Sequence, residues 1–167
     1  FIEWLDAPLF VNNQKPVSVF SVRRERKLQA IHAQAELGYV LTDKFNASAK
    51  LDIYNFTGQE TEADAWHFIP TQLTAALRWQ PIKKVMVKAD AFAWQGPAFL
   101  VNPAGNTSRL NSVFDLNAGI EFRAAKNISV WTQFNNIFNT TYQRWNNYPQ
   151  LGFQFLGGIR LTFDQNL

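Results

Sequence analysis

The sequence predicts an all-β protein: a transmembrane antiparallel up-and-down β-barrel, or a segment of one, with about seven to nine strands. Three observations lead there. Apolar residues recur with a period of two along segments of roughly ten to fourteen residues. The connections between these segments alternate between short turns and long loops, the arrangement of outer-membrane barrels with the long loops extracellular. The composition lies between those of a helical membrane protein and a highly charged soluble one.

Hydrophobic residues make up 47 % of the 167 residues and charged residues 17 %, few charges for a soluble chain. The mean hydropathy of -0.21 excludes a chain built mainly of membrane helices, and no apolar run approaches the ~20 residues that a spanning helix needs. Strands with one lipid-facing and one lumen-facing side keep the average modest while leaving one whole face apolar. At this length a single domain over residues 1–167 is expected. Phe1 is not an initiator Met and no charged n-region with an apolar h-region follows it, which reads as a processed chain or a piece of a longer one.

The clearest strand is Leu28 to Leu41, where Ile31, Ala33, Ala35, Leu37 and Tyr39 alternate with His32, Gln34, Glu36 and Gly38. After Asp43-Lys44, a tight turn, Phe45, Ala47, Ala49, Leu51 and Ile53 alternate with Asn46, Ser48, Lys50 and Asp52. Leu73, Ala75, Leu77 and Trp79 form the next apolar face, and Gln80 to Lys83 turns the chain into Val85, Val87, Ala89, Ala91 and Ala93. Phe114 to Phe122 and Ile128 to Phe134 repeat the pattern around a turn at Ala124 to Asn127, and Phe153 to Phe163 closes it. Two less regular stretches, Glu3 to Val11 and Val17 to Arg23, are expected as separate strands joined by a turn over Asn12 to Pro16. The long connections are Thr57 to Ala65, Gly96 to Asn111 and Asn139 to Gln150.

Alternation alone fits a membrane barrel and a soluble lipocalin-like barrel equally. Strand length favours the membrane: about ten residues at ~3.3 Å, tilted near 45°, rise roughly 23 Å. Trp79 and Tyr39 lie on the apolar face near the short turns, where amphipathic rings meet headgroups. The other face carries both signs of charge, including Glu36, Lys50, Asp52, Lys88, Asp90, Glu121, Arg123 and Arg160, which suits a hydrated lumen.

The stretch Phe114 to Arg123, then Asn127-Ile128-Ser129-Val130-Trp131 and Asn135-Asn136-Ile137-Phe138-Asn139, resembles the last strands of TonB-dependent outer-membrane receptors. Tyr142 to Trp145, Tyr148-Pro149 and Phe155-Leu156-Gly157-Gly158-Ile159 extend the resemblance, which is strongest to members from Bacteroidota and specific over Ser112 to Phe163. It implies a barrel of 22 strands filled by an N-terminal plug, taking up a scarce ligand such as an iron chelate, cobalamin or a glycan. On that reading the chain is a C-terminal barrel portion in the bacterial outer membrane. Its partners are outer-membrane lipid, the barrel-assembly machinery and, only through a missing plug region, TonB. The resemblance also gives Phe155, Ile159, Leu161 and Phe163 the role of a barrel-assembly signal, although Asp164 to Leu167 follow the final Phe.

The long loops supply the candidate ligand-facing residues Trp94, Phe99, Asn106, Arg109, Arg144, Trp145, Asn147 and Tyr148, since aromatics with a few polar groups are what ligand sites use. The competing reading is that Arg144, Trp145 and Tyr148 order the loop. Catalysis is not expected: there is no Cys, no nucleophile elbow and no phosphate loop. His32 and His67, the two histidines, lie on separate segments, so neither metal nor cofactor is expected. The net charge of +3 is spread over 16 basic and 13 acidic residues rather than clustered for nucleic acid. The densest basic run, Arg23-Arg24-Glu25-Arg26-Lys27, reads as a solvated turn or a contact to lipid phosphates. Two further architectures stay open: a complete eight-stranded outer-membrane barrel for anchoring or adhesion, and a soluble binding barrel with the apolar set turned inward.

Overall fold

The computed structural model describes residues 2–12, 20–101 and 106–163. Every regular element is a strand: β1 (Ile2–Asn12), β2 (Phe20–Thr42), β3 (Phe45–Thr57), β4 (Thr71–Ile82), β5 (Val85–Trp94), β6 (Ala98–Leu100), β7 (Thr107–Arg109), β8 (Val113–Ala125), β9 (Ile128–Asn135), β10 (Gln143–Trp145), β11 (Tyr148–Pro149) and β12 (Gln154–Leu161). The main sheet has eight strands in the order β1-β2-β3-β4-β5-β8-β9-β12, every pair antiparallel. Two small ribbons, β6-β7 and β10-β11, sit in the loops. Their short, irregular sequences carry too few alternating positions to announce a strand.

The register aligns the predicted faces across the sheet. Asp90 stands opposite Ala76 and Asn117, and Ala76 opposite Ser48, on the polar side. One residue along, Ala89 stands opposite Leu77 and Ala118 on the apolar side. Because the side-chain period is two, a slip by one would exchange the faces, so the hydrophobic pattern pins the pairing.

The apolar side is open: Leu37 is 77 % and Ile159 69 % exposed. The buried residues Leu28, Ala65, Trp66, Ala98 and Leu100 form two small clusters with Phe56 and Phe68, where the first two long loops meet. By register, Phe56 lies opposite Ala30 on the polar side, so the loops fold onto that face and leave the apolar one bare. A soluble barrel would put its core against the apolar set, and the expectation of such an inward face is corrected here.

Three other expectations are corrected. Val17 to Arg23 and Leu28 to Leu41 are not separate strands: β2 runs unbroken from Phe20 to Thr42, while Asn13 to Pro16 and Val17 to Val19 lie outside the described residues. The basic run Arg23 to Lys27 is therefore strand, not turn. A bulge interrupts its pairing with β1, since Leu5 faces Leu28 but Ala7 faces Glu25. The extra β2 residue broke the alternation that would have revealed one strand. Finally, the sheet does not close on itself among the described residues: β12 pairs with β9, β1 with β2, and neither with the other, so the complete small barrel is not formed.

Candidate functional site

Short turns at 43–44, 83–84 and 126–127 join strands at one end, and the long connections 58–70, 95–112 and 136–153 gather at the other. Each long connection is held by a few local devices. In the last, Asn135-Asn136-Ile137-Phe138-Asn139 forms a corner. Asn136 and Asn139 take positive φ (48° and 50°), the left-handed region that asparagine tolerates best after glycine. The buried Asn136 amide donates to the Thr140 and Leu151 carbonyls at 2.9 and 3.2 Å, and its Oδ1 accepts from the Thr140 N–H at 2.8 Å. Asn139 Oδ1 accepts from the Phe153 N–H at 2.9 Å. A Cβ at Gly152 would come within 2.5 Å of that oxygen, so the closing loop needs glycine there. These asparagines are committed to backbone groups.

The 58–70 connection is pinned by Glu25. The bulge brings its side chain to the same face as Leu28, where Oε2 accepts from the Thr61 hydroxyl at 2.7 Å and from the Thr61 and Glu62 N–H groups at 3.0 and 3.1 Å. These donors, the Thr61 hydroxyl foremost, hold the Glu25 carboxyl at about 2. Lys27 adds a 2.7 Å ion pair to Glu60. Further along, His67 is buried at φ 63°; its N–H donates to the Ala98 carbonyl at 2.8 Å, and its own carbonyl accepts from Arg144 Nη1 at 2.8 Å. The His67 ring lies 5.1 Å from that of Trp145, which Arg144 overlies at 4.7 Å. Burial first, and the Arg144 charge second, lower the imidazole to about 4, so it is neutral. His67 thus ties together all three long connections.

Below this junction the polar face of β5 and β8 carries an aromatic wall. Phe92 and Trp94 stack at 5.0 Å, and Tyr142 meets both edge-on at 6.4 and 5.3 Å. The Tyr142 hydroxyl donates to Asp115 Oδ2 at 2.9 Å, and burial together with that carboxylate pushes the phenol up to about 12. Asp115 is 3 % exposed, and its Oδ1, like Trp94 Nε1, has no hydrogen-bond partner within the structure. A neighbouring hollow lined by Phe92, Asp115, Asn117, Asn135, Tyr142 and Gln154 opens from this wall. A buried carboxylate oxygen and an indole N–H without partners are costly to leave unmatched. Such groups bind hydroxyls or amides of a ligand or of water. Nothing in the arrangement pairs a nucleophile with a base.

The predicted loop residues fall into three groups. Trp94 belongs to the aromatic wall, and Arg144 and Trp145 to the His67 junction. Phe99 and Arg109 sit on the β6-β7 ribbon, with Arg109 and Asn106 exposed. Asn147, at φ 67°, makes the β10-β11 turn with its N–H on Gln143 Oε1, and Tyr148 is 40 % exposed on that ribbon. Phe155, Ile159 and Leu161 project from the apolar face of β12, and Phe163 lies just beyond it. Glu25 and Asp115 did not stand out from the sequence as site residues, while His67 was weighed there only as a metal ligand and Tyr142 only as part of the family resemblance. Asp115 could have been found, as an acid on the polar face beside a loop rich in aromatics; Glu25 could not, because the bulge that orients it leaves no local mark. His32 and Asp52 also meet, at 2.9 Å, with Lys50 at 3.2 Å on the other carboxylate oxygen. Among the described residues no group of three potential metal ligands forms. Glu121 is held by Arg160, whose Nη1 lies 2.8 Å from both oxygens.

No protein-family model matches the chain, and no curated protein sequence does. Solved structures do match. The ferric-catecholate import receptor Fiu from E. coli K12 shares 15 % identity over 82 % of this chain, with a TM-score of 0.64. The FrpB iron transporter from Neisseria meningitidis shares 17 % over 95 %, TM-score 0.64. The pyoverdine outer membrane receptor FpvA from Pseudomonas aeruginosa PAO1, bound to pyoverdine, shares 12 % over 95 %, TM-score 0.69. The chain spans only 21 %, 27 % and 25 % of those proteins, respectively. Its fold is that of a segment of the β-barrel of such outer-membrane receptors.

Proposed function

We propose that this chain is the C-terminal part of the barrel of a bacterial outer-membrane receptor that takes up a scarce ligand, an iron chelate, cobalamin or a glycan, with energy delivered by TonB. The observation that carries the reading is the exposed apolar face: the strands from β2 to β12 in the main sheet present it bare while the long loops fold onto the opposite, charged face. Only lipid makes such a face favourable over its whole area. Along β8, Phe114 to Phe122 spans eight residue steps, about 27 Å of strand and roughly 21 Å of height at a tilt near 40°. Exposed Phe114 and Phe122 close the two ends of that band, with Trp79 and Tyr39 beside the short turns, as rings at headgroup level do.

In this reading the short turns face the periplasm and the loops face outward. Trp94, Phe99, Asn106, Arg109, Arg144, Trp145, Asn147 and Tyr148 form or support the ligand-facing rim, and Asp115 with Tyr142 supplies hydrogen-bonding groups below it. Phe155, Ile159, Leu161 and Phe163 serve the barrel-assembly machinery as its terminal aromatic signal. TonB acts through a plug region that these residues do not include. The test is ligand-limited growth and labelled-ligand uptake by the source bacterium with and without the gene, before and after collapse of the proton-motive force. Deletion should abolish uptake of one ligand class, and collapse should stop uptake while surface binding persists. Uptake that survives deletion, or that ignores the proton-motive force, would sink the reading.

A further inference from the structure

One carboxylate on the polar face is only half matched by the fold. Asp115 is 3 % exposed; the Tyr142 hydroxyl donates to its Oδ2 at 2.9 Å, and its Oδ1 has no partner among the described residues. Burying a carboxylate is costly unless a cation or further donors meet it. Asp52 and Glu121, on the same face, are met by Lys50 and Arg160. Asp115 has no such counterpart. Phe92 stands directly opposite it on β5, and of the ten residues lining the adjoining hollow Asp115 alone is charged. Arg144, two residues beyond Tyr142, engages the His67 carbonyl and the Trp145 ring instead.

We propose that Asp115 is a subsite for a protonated amine, the ammonium group of a hydroxylated ligand such as an amino alcohol or an amino sugar. The chemistry around the carboxylate selects that group. Phe92 stands beside Asp115, Tyr142 is bonded to it, and Trp94 stacks on the one ring at 5.0 Å and meets the other edge-on at 5.3 Å. Ring faces attract cations. An ammonium therefore gains from the carboxylate and the rings together, whereas an anionic chelate is repelled by the first and gains nothing from the second. The Trp94 indole N–H, likewise without a partner, can only donate, so it calls for an oxygen on the ligand. Asn135, Gln150 and Gln154 around the hollow offer amides to further hydroxyls. The proposal rests on the receptor reading, which puts the polar face on the ligand's path, and narrows the ligand class within it.

The test uses the full-length receptor purified in detergent, with saturation-transfer NMR reading the bound probe. Ethanolamine and glucosamine, in their ammonium forms, should bind. Ethylene glycol and glucose, which carry a hydroxyl where the amine stood, should bind at least about tenfold more weakly. Asp115→Asn keeps the shape and an acceptor for Tyr142, and should cut affinity for both amines by about 10- to 100-fold, leaving them no better than the neutral probes. Phe92→Leu should weaken the amines alone, by about threefold or more. Heat-modifiable gel mobility checks that each variant is folded, and where one is not, the probe pairs on the unaltered receptor decide. Equal binding of amine and hydroxyl probes, binding of none of the four, or amine binding that survives Asp115→Asn would overturn the proposal. Uptake that still stops with the proton-motive force would then show that the receptor reading stands without it. Absence of the protein from the outer membrane would sink both together.

Discussion

Replacing Ala89 by arginine places a guanidinium near the middle of β5 on the apolar face. The strand runs ten residues from Val85 to Trp94, so Ala89 sits about 10 Å in height from one end and about 13 Å from the other at a tilt near 40°. On a lipid face at that depth an arginine costs ~2–4 kcal/mol, which lowers the folding equilibrium constant roughly 30- to several-hundredfold. Ala76 is the matched control: it lies on the polar face, is exposed, and stands opposite Asp90. Arginine there gains an opposite-charge cross-strand pair worth ~0.2–1 kcal/mol. Urea unfolding of both variants in lipid vesicles, followed by tryptophan fluorescence, measures the difference. Equal tolerance of the two arginines would refute the two-face assignment, and a costly Ala76→Arg beside a harmless Ala89→Arg would place the register one residue out.

The loop end yields three more predictions. Glu25 has a folded-state pKa of about 2 against an ordinary 4.5, so its contribution is complete above pH 4.5 and is lost as pH falls toward 2. Hydrogen exchange at the Thr61 and Glu62 amides should accelerate over that window, and Glu25→Gln should show the faster exchange already at neutral pH. His67, held neutral at about 4 against 6.5, resists a proton that the unfolded chain accepts. The stability of the loop junction is therefore complete above pH 6.5 and declines as pH falls toward 4. The Trp145 fluorescence change, isolated by subtracting Trp145→Phe, should have its midpoint near 4; a midpoint near 6.5 would mean an exposed imidazole. Gly96→Ala drives a Cβ to 1.7 Å from the Leu110 carbonyl oxygen, and the displaced backbone should cost at least about 1–3 kcal/mol in thermal unfolding.

The fold was legible where alternation ran unbroken. Residues 28–54, 72–93, 114–123 and 128–135 gave strand, face and partner together, because one buried or lipid-covered face fixes the register. Failures came where that period breaks. The bulge between Leu28 and Glu25 divided β2 into an apparent strand, a basic run and another strand. The β6-β7 and β10-β11 ribbons are two or three residues per strand, too short for periodicity. In the candidate site, Trp94 and the residues at 144–148 were visible as aromatics and polar groups in loops. The junction they join was not, since His67 meets Arg144 across 77 residues of chain, a contact that depends on which loop folds over which strand. The Asn-Asn-Ile-Phe-Asn motif was visible, and its role as a backbone corner emerged only from the Asn136 and Asn139 hydrogen bonds.

Trp79 and Trp131 give the most direct test of which face meets lipid. Trp79 lies on the apolar side opposite Phe45 and Val87. Trp131 lies on the polar side across from Gly158, where a Cβ would come within 2.8 Å of its ring and only glycine leaves room for it. In vesicles containing bromine-labelled acyl chains, emission from a variant retaining Trp79 alone should be quenched by the lipid and spared by aqueous iodide. A variant retaining Trp131 alone should show the reverse. Quenching of Trp131 by the bromolipid, or of neither ring, would contradict the barrel-wall account.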